Sequence, residues 1–145
     1  MAKTFEIKIR VYYEDTDAGG IVYYANYLKY LERARTELIY SLGLKHKKLI
    51  EEYGFQIVVA HCDIAFKKPA HFEDHLVIKT ELKSLSAVKL EMVQKVYKVD
   101  CWTTTTEEEL LDYYINFISV VTDIPKKLVM RITRFTDDDN IGIED

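Results

Sequence analysis

The chain has 145 residues, of which 48% are hydrophobic and 30% are charged, and this is the composition of a single soluble globular domain. Its net charge of −4 disfavours a nucleic-acid-binding protein, because such proteins carry a basic excess or a basic stripe. The sequence contains neither a run of about 18 apolar residues nor an apolar signal core, so we expect a cytoplasmic protein.

The first part of the chain predicts one strand and one long helix. Residues 4–12 alternate between apolar and charged side chains, as in a half-buried strand. An acidic loop and the pair Gly19 and Gly20 follow. The segment from Ile21 to Tyr24 is then predicted to lie at the start of the helix. Gly43 comes directly after the last periodic residue, where a left-handed C-terminal cap is expected. The apolar stripe of this helix consists of Tyr24, Tyr27, Leu28, Leu31, Ala34, Leu38, Ile39 and Leu42.

The rest of the chain predicts a sheet. Its elements are a short helix over residues 45–53 closed by Gly54, strands over 55–66, 75–83, 87–99, 110–122 and 127–133, and a polar connection over 100–109. The run 110–122 is apolar on both faces, as in a strand buried on both sides. One long helix with about six strands is an α+β pattern in which the sheet curves around the helix. We expect one domain over residues 1–135 and a loose acidic tail over 136–145.

The front of the long helix is where the residues indicate chemistry. Gly19 and Gly20 permit a tight turn and the close approach of a ligand. The first N–H groups of a helix lack intrahelical partners and suit an oxygen that becomes negatively charged. Asp15 and Asp17 lie a few residues upstream, so a carboxylate base or nucleophile would face these donors. An acidic residue before a helix is also a common cap, and the spacing alone leaves both readings open.

The string YYEDTDAGGIVYYANYLKYLERARTELI resembles the signature of the 4-hydroxybenzoyl-CoA thioesterase family. It is most similar to the branch of short acyl-CoA thioesterases that is associated with the Tol–Pal envelope system. A second stretch, FKKPAHFEDHLVI at residues 66–78, resembles the same family, and the resemblance extends over about residues 5–133. It implies a hotdog fold, in which an antiparallel sheet of five to six strands wraps around one central helix. It also implies a homodimer formed by edge-to-edge pairing of sheets, often assembled into a homotetramer.

The resemblance further implies that the chain hydrolyses an acyl-CoA thioester to a free acid and coenzyme A. Asp17 is then the nucleophile or general base, and as a base it needs partial burial to raise its pKa. The backbone amide of Tyr24 is then the oxyanion donor, although the nearer branch usually has histidine at this position. The remaining residues expected to contact substrate are Gly20, Ile21, Val22, Tyr23, Asn26 and Lys89.

Several neighbouring polar residues have a more ordinary interpretation. Asp15 is expected to fix the loop by accepting local N–H groups, and Asn26 to cap the helix. Asp63 is expected to face outward from its strand. Histidines 46, 61, 71 and 75 have no partner at catalytic or metal-binding spacing, and the sequence assigns them no chemistry. The two cysteines form no Cys-x-x-Cys pair, so no metal and no cofactor beyond the coenzyme A of the substrate are expected.

Two other functions share this fold. The first alternative is a non-catalytic module that binds acyl-CoA or acyl carrier protein, and the presence of Asp17 argues against it. The second is a dehydratase or hydratase, which needs a histidine-bearing pair near the helix that this loop lacks. The acyl group itself cannot be read from the sequence, because a shared fold does not fix the substrate.

Overall fold

A computed structural model describes residues 4–53, 56–86, 88–104 and 106–119. Within these ranges the chain forms five strands and two α-helices, and a single 3₁₀ turn over Tyr13–Asp15 precedes the first helix. The strands and helices are β1 Thr4–Arg10, α1 Asn26–Ser41, α2 His46–Tyr53, β2 Ile57–Phe66, β3 His75–Leu85, β4 Lys89–Val99 and β5 Glu107–Ser119. The predicted cap at Gly54, the predicted strand over residues 127–133 and the predicted tail over 136–145 lie outside the described residues.

The five strands form one antiparallel sheet in the order β1-β3-β4-β5-β2. This arrangement confirms the predicted α+β class. Because β1 and β2 lie at the two edges, each has one side without a strand partner among the described residues. No helix in the described part of the chain is long and apolar enough to cross a membrane.

Helix α1 packs against the inner face of the sheet, as its apolar stripe predicts. Five of its residues are buried, namely Tyr27, Tyr30, Leu31, Ala34 and Leu38. The predicted stripe is too wide, because Tyr24 and Leu28 are 63% and 47% exposed. The helix also starts later than predicted, at Asn26. Its predicted C-terminal cap is confirmed, since Gly43 has φ 74° and donates its N–H to the carbonyl of Tyr40 at 2.9 Å.

A buried polar network ties α1 to the middle of the sheet. Gln94 of β4 is fully buried, and its amide nitrogen donates to the Leu31 carbonyl and to the Thr80 hydroxyl, each at 3.0 Å. Its amide oxygen accepts a hydrogen bond from Arg35 at 2.9 Å. A buried amide is costly unless its hydrogen bonds are made, so these contacts fix the helix at one position along the sheet.

Strand β5 differs from its prediction at its start and on its outer face. It begins at Glu107, inside the predicted polar connection, because acidic side chains there pair with lysines of other strands. Glu107 lies 2.8 Å from Lys79, and Glu109 lies 3.3 Å from Lys95. The strand is also not buried on both sides: Tyr113, Ile115 and Phe117 are buried, whereas the alternating Asp112, Tyr114 and Asn116 are only partly covered.

All the segments that surround Asp17 leave the same end of the sheet. Register pairs Arg10 with His75, His75 with Val99, and Val99 with Glu107. The loop after β1, the loop before β3 and the connection after β4 therefore meet there, and we call this the loop end of the sheet. Lys89 starts β4 at the opposite end, where it pairs with Ile118.

Candidate active site

The predicted catalytic aspartate lies at the tip of a short hairpin after β1. Thr16 pairs with Val22, and the Asp17 N–H donates to the Ile21 carbonyl at 2.9 Å. The Gly20 N–H donates back to the Asp17 carbonyl at 3.0 Å. Gly20 has φ 79°, a left-handed conformation that closes such a three-residue loop and that glycine adopts without strain.

The hairpin joins a third short segment and becomes a small three-stranded sheet. Ile21 pairs with His71, and the Val22 N–H donates to the Ala70 carbonyl at 2.9 Å. Residues directly opposite each other in antiparallel strands project to the same face. Val22 and Ala70 lie on the inner face and are 4% and 0% exposed. Asp17, Ile21 and His71 therefore share the outer face of this small sheet.

The amides at the front of α1 are not equivalent. The Val22 N–H is bound to Ala70, and the Tyr23 N–H donates to the Asp15 carbonyl at 3.0 Å. Inside the helix start, the amides of Asn26, Tyr27 and Leu28 donate to carbonyls three residues back. Among the amides from Ile21 to Leu28, those of Ile21, Tyr24 and Ala25 make no hydrogen bond within the described ranges. The prediction of free donors from Ile21 to Tyr24 is thus wrong for Val22 and Tyr23, and it holds for Ile21 and Tyr24.

Asp15 accepts a local N–H group, as predicted, and it also holds the loop against the helix. Its carboxylate accepts the Tyr12 N–H at 2.9 Å, and its carbonyl accepts the Asn26 side-chain amide at 2.8 Å. Asn26 is therefore a brace between loop and helix, and not the predicted cap, a position that Ala25 occupies without a side-chain hydrogen bond. The Tyr30 hydroxyl is buried without a hydrogen-bond partner among the described residues; burial and the nearby Asp15 carboxylate raise the Tyr30 pKa.

The carboxylate of Asp17 has one fixed and one free oxygen. Its Oδ1 accepts the Gly19 N–H at 2.8 Å. No other hydrogen bond to this side chain occurs in the described part of the chain, so Oδ2 is available for chemistry. The side chain is exposed in the single chain, so the partial burial expected of a general base is not provided by this chain alone.

Aromatic side chains line the surface beside Asp17. The rings of Tyr23 and Tyr24 lie 4.9 Å apart, and the Tyr24 ring meets the edge of Phe66 at 6.4 Å. Phe66 also contacts Tyr27 at 5.8 Å, and the Tyr27 hydroxyl accepts the Ala70 N–H at 3.1 Å. Because Phe66 ends β2, these contacts join the helix start to the edge strand.

The basic residues that could serve the site are either engaged in ion pairs or distant from Asp17. Lys89 lies at the end of the sheet opposite the loop end, so one chain does not bring it to Asp17. Lys67 and Lys68 lie near the loop end, but they pair with Glu109 at 2.9 Å and Glu108 at 2.6 Å. The described residues contain no cluster of three or more His, Cys, Asp or Glu side chains that could hold a metal ion.

The structure brings His71, to which the sequence assigns no chemistry, close to the hairpin. Its backbone N–H donates to the Asp74 carboxylate at 2.8 Å, and its ring Nδ1 lies 3.9 Å from the same oxygen. Only the spacing of His71 and Asp74 is visible in the sequence. The pairing of His71 with Ile21, which places it beside Asp17, joins residues 50 positions apart and has no local signal.

Comparisons with known proteins show the family of this chain. The model of the thioesterase-like superfamily matches residues 11–131. The acyl-CoA thioesterase YbgC of Haemophilus influenzae is 38% identical over 94 residues, which cover 65% of this chain and 69% of the relative. The acyl-CoA thioester hydrolase YbgC of Escherichia coli O157:H7 is 37% identical over 107 residues, covering 74% of this chain and 78% of the relative.

Solved structures show the same fold. A probable thioesterase from Bartonella henselae superimposes with a TM-score of 0.74 at 27% identity, over 85% of this chain and 100% of that one. The 4-hydroxybenzoyl CoA thioesterase from Pseudomonas sp. strain CBS-3 superimposes with a TM-score of 0.77 over 89% of this chain and 99% of that one. At 20% identity, this second likeness bears on the fold alone.

Proposed function

The chain belongs to the thioesterase-like superfamily, and from this premise we infer that it is an acyl-CoA thioesterase, which hydrolyses an acyl-CoA thioester to a free acid and coenzyme A. Its five-stranded antiparallel sheet around one long helix is the hotdog fold. The observation that carries the assignment is the unpaired Tyr24 N–H at the front of α1, close in sequence to a carboxylate with a free oxygen at Asp17.

The Tyr24 amide would stabilise the charge that develops during the reaction. A thioester carbonyl placed at the front of α1 would point its oxygen at this N–H, and the Ala25 N–H lies beside it. The positive end of the helix dipole adds to the attraction. Because neither amide has a hydrogen-bond partner in the part of the chain that the structure describes, both are preorganised for the oxyanion. One such donor contributes a factor of about 10²–10³ in kcat.

Asp17 would act on the thioester carbon. Its Oδ1 is held by Gly19, and this contact orients Oδ2 either to attack the carbonyl directly or to take a proton from an attacking water. Ile21 and Gly20 shape the hairpin under the reacting group. Tyr23 and Tyr24 would present their rings to the acyl group, whereas Val22 and Asn26 support the loop from below.

We also propose that the active unit is a homodimer formed along β2. Val58, Val59 and Phe66 on this edge strand are 39%, 51% and 50% exposed, and an apolar free edge needs a cover. Since Phe66 contacts Tyr24, a second subunit there would adjoin the surface beside Asp17 and would supply the burial that a general base needs. Lys89 is proposed to reach substrate only through such an assembly, and a tetramer would be a further step.

The remaining proposals rest on the resemblance of the sequence. They are a cytoplasmic location, turnover without a metal or added cofactor, acyl carrier protein as a second acyl donor, and an association with the Tol–Pal system. The alternative of a non-catalytic binding module would leave the free carboxylate of Asp17 without a role.

The test is release of free thiol from a panel of short-chain, long-chain and aromatic acyl-CoA substrates. Wild type should turn over at least one member, and Asp17→Asn should lower kcat by about 10³-fold or more. Asp100→Asn is the matched control, since Asp100 is another exposed aspartate at the loop end and should keep full activity. Thiol release at the wild-type rate from Asp17→Asn would remove Asp17 from the mechanism, and no release by wild type would favour the binding module.

A further inference from the structure

His71 faces the same side of the small three-stranded sheet as Asp17. The antiparallel pair Thr16–Val22 sets Asp17 opposite Ile21, and Ile21 pairs with His71, so the three residues lie in one row. Neighbouring strands are about 4.8 Å apart, so the backbones of Asp17 and His71 are separated by about two spacings, or roughly 10 Å. The partly exposed Ile21 side chain forms the floor between them.

That separation suits a reacting group held between the two side chains. An aspartate and a histidine project from the same face, and their spacing leaves room for one planar thioester above Ile21. If the attack on the carbonyl carbon comes from the side of Asp17, the sulfur of the thioester lies on the side of His71. The thiol that leaves would thus depart next to an imidazole.

Asp74 lies beside this imidazole. The Asp74 carboxylate accepts the backbone N–H of His71 at 2.8 Å, and the same oxygen lies 3.9 Å from the ring nitrogen Nδ1, within ion-pair distance. The other ring nitrogen, Nε2, makes no ion pair with a carboxylate of the described residues and can face substrate. Lys98 lies 3.6 Å from the second Asp74 oxygen and holds the carboxylate in place. The Asp74 side chain is 14% exposed, whereas that of His71 is 56% exposed. A fixed carboxylate behind an accessible histidine is the usual support of a general acid or base.

We propose that His71 is a catalytic general acid that protonates the departing thiolate, a role that rests on the thioesterase function proposed above. When the C–S bond breaks, its electron pair goes to sulfur. Protonated His71 transfers the proton of Nε2 to that sulfur, so that the thiol leaves in its neutral form. Solvent water then returns a proton to His71. The net reaction is unchanged: thioester and water give a carboxylic acid and a thiol.

The test compares leaving groups. Thiophenolate is a much weaker base than an alkyl thiolate and leaves readily without a proton. Thioesters of one acyl group, the best of butyryl, palmitoyl and benzoyl for the wild type, are prepared with coenzyme A, N-acetylcysteamine and thiophenol. His71→Asn should lower kcat/KM about 10²-fold on both alkyl thioesters and leave the phenyl thioester nearly unchanged. Asp17→Asn should lower all three, because attack precedes departure.

Two controls separate a catalytic role of His71 from a loss of folded protein. The ratio of alkyl to phenyl rates is measured on one preparation, so it does not depend on the folded fraction. His75→Asn removes another imidazole at the loop end, one that packs against Trp102, and it should not change the ratio. Equal losses on all three esters in His71→Asn would overturn the role, as would a loss confined to the coenzyme A ester. No hydrolysis by wild type would overturn the thioesterase assignment together with this role.

Discussion

Replacing Tyr24 by proline would remove one of the two N–H groups that are proposed to bind the oxyanion. Proline has no backbone donor, and the Tyr24 N–H makes no hydrogen bond in the described part of the chain. The substitution therefore breaks no internal hydrogen bond. The Tyr24 carbonyl, which accepts the Tyr27 N–H at 3.3 Å, is retained.

The expected magnitudes separate catalysis from stability. Loss of one oxyanion donor costs about 2.7–4 kcal/mol of transition-state stabilisation, or about 10²–10³ in kcat. The free energy of unfolding should fall by less than about 1 kcal/mol, since no buried donor or acceptor is orphaned. Tyr23→Pro should behave differently, because the Tyr23 N–H of the wild type donates to the Asp15 carbonyl at 3.0 Å and proline would break this hydrogen bond. That variant should lose stability as well as activity.

The assay is thiol release together with thermal unfolding of the same preparations. Tyr24→Phe retains the amide and should keep kcat within a few-fold of wild type, so it isolates the role of the backbone from that of the hydroxyl. Ala25→Pro tests the neighbouring amide, and the φ of −68° at Ala25 already suits proline. A folded Tyr24→Pro variant with more than about a tenth of the wild-type kcat would refute the oxyanion assignment.

Three further outcomes are expected. Asn26→Ala removes the side-chain amide that donates to the Asp15 carbonyl. The free energy of unfolding, measured by denaturant melts, should fall by about 1 kcal/mol. The value of kcat/KM, measured by thiol release, should fall about tenfold. Gly19→Ala places a Cβ 3.2 Å from Asp17 Oδ1 and should lower kcat with little loss of stability, whereas Gly20→Ala, strained at φ 79°, should cost about 1 kcal/mol of stability. Lys67 and Lys95 lower the Glu109 pKa. The ionised Glu109 carboxylate therefore stabilises the fold at pH values above its unfolded pKa of about 4.3. This stabilisation is lost as the pH falls through the pKa of Glu109 in the folded state. Glu109→Gln should therefore flatten the fall in melting temperature on acidification, and an unchanged acid slope would contradict the pairing.

The elements that carry the fold are predictable from the sequence because their signals are local. The three-to-four spacing of Tyr27, Leu31, Ala34 and Leu38 identified the buried stripe of α1, and alternation identified the strands. The start of β5 was placed too late because Glu107 and Glu109 read as polar loop residues. Their lysine partners belong to other strands, and such cross-strand ion pairs cannot be seen in a window of a few residues.

The candidate site shows the same difference between local signals and long-range contacts. Asp17 and the glycine turn were found from local pattern, and the turn has the expected left-handed glycine at Gly20. The distance of Lys89 from the hairpin cannot be read from the sequence, because it follows from strand order and not from spacing along the chain. The closeness of His71 to the hairpin has no local signal either, since it follows from strand pairing.

The helix front shows most clearly why local reasoning is insufficient for chemistry. In sequence, the amides of Val22, Tyr23 and Tyr24 are equivalent candidates for an oxyanion donor. Two carbonyls from elsewhere decide between them: Ala70 takes the first and Asp15 takes the second. The loop before β3 therefore does more than close the fold. Through the Ala70 carbonyl it occupies the Val22 amide and so removes one candidate donor, and through His71 the same loop brings an imidazole to the face of Asp17. We accordingly expect that changes in residues 70–74 will alter turnover more than their distance in sequence from Asp17 suggests.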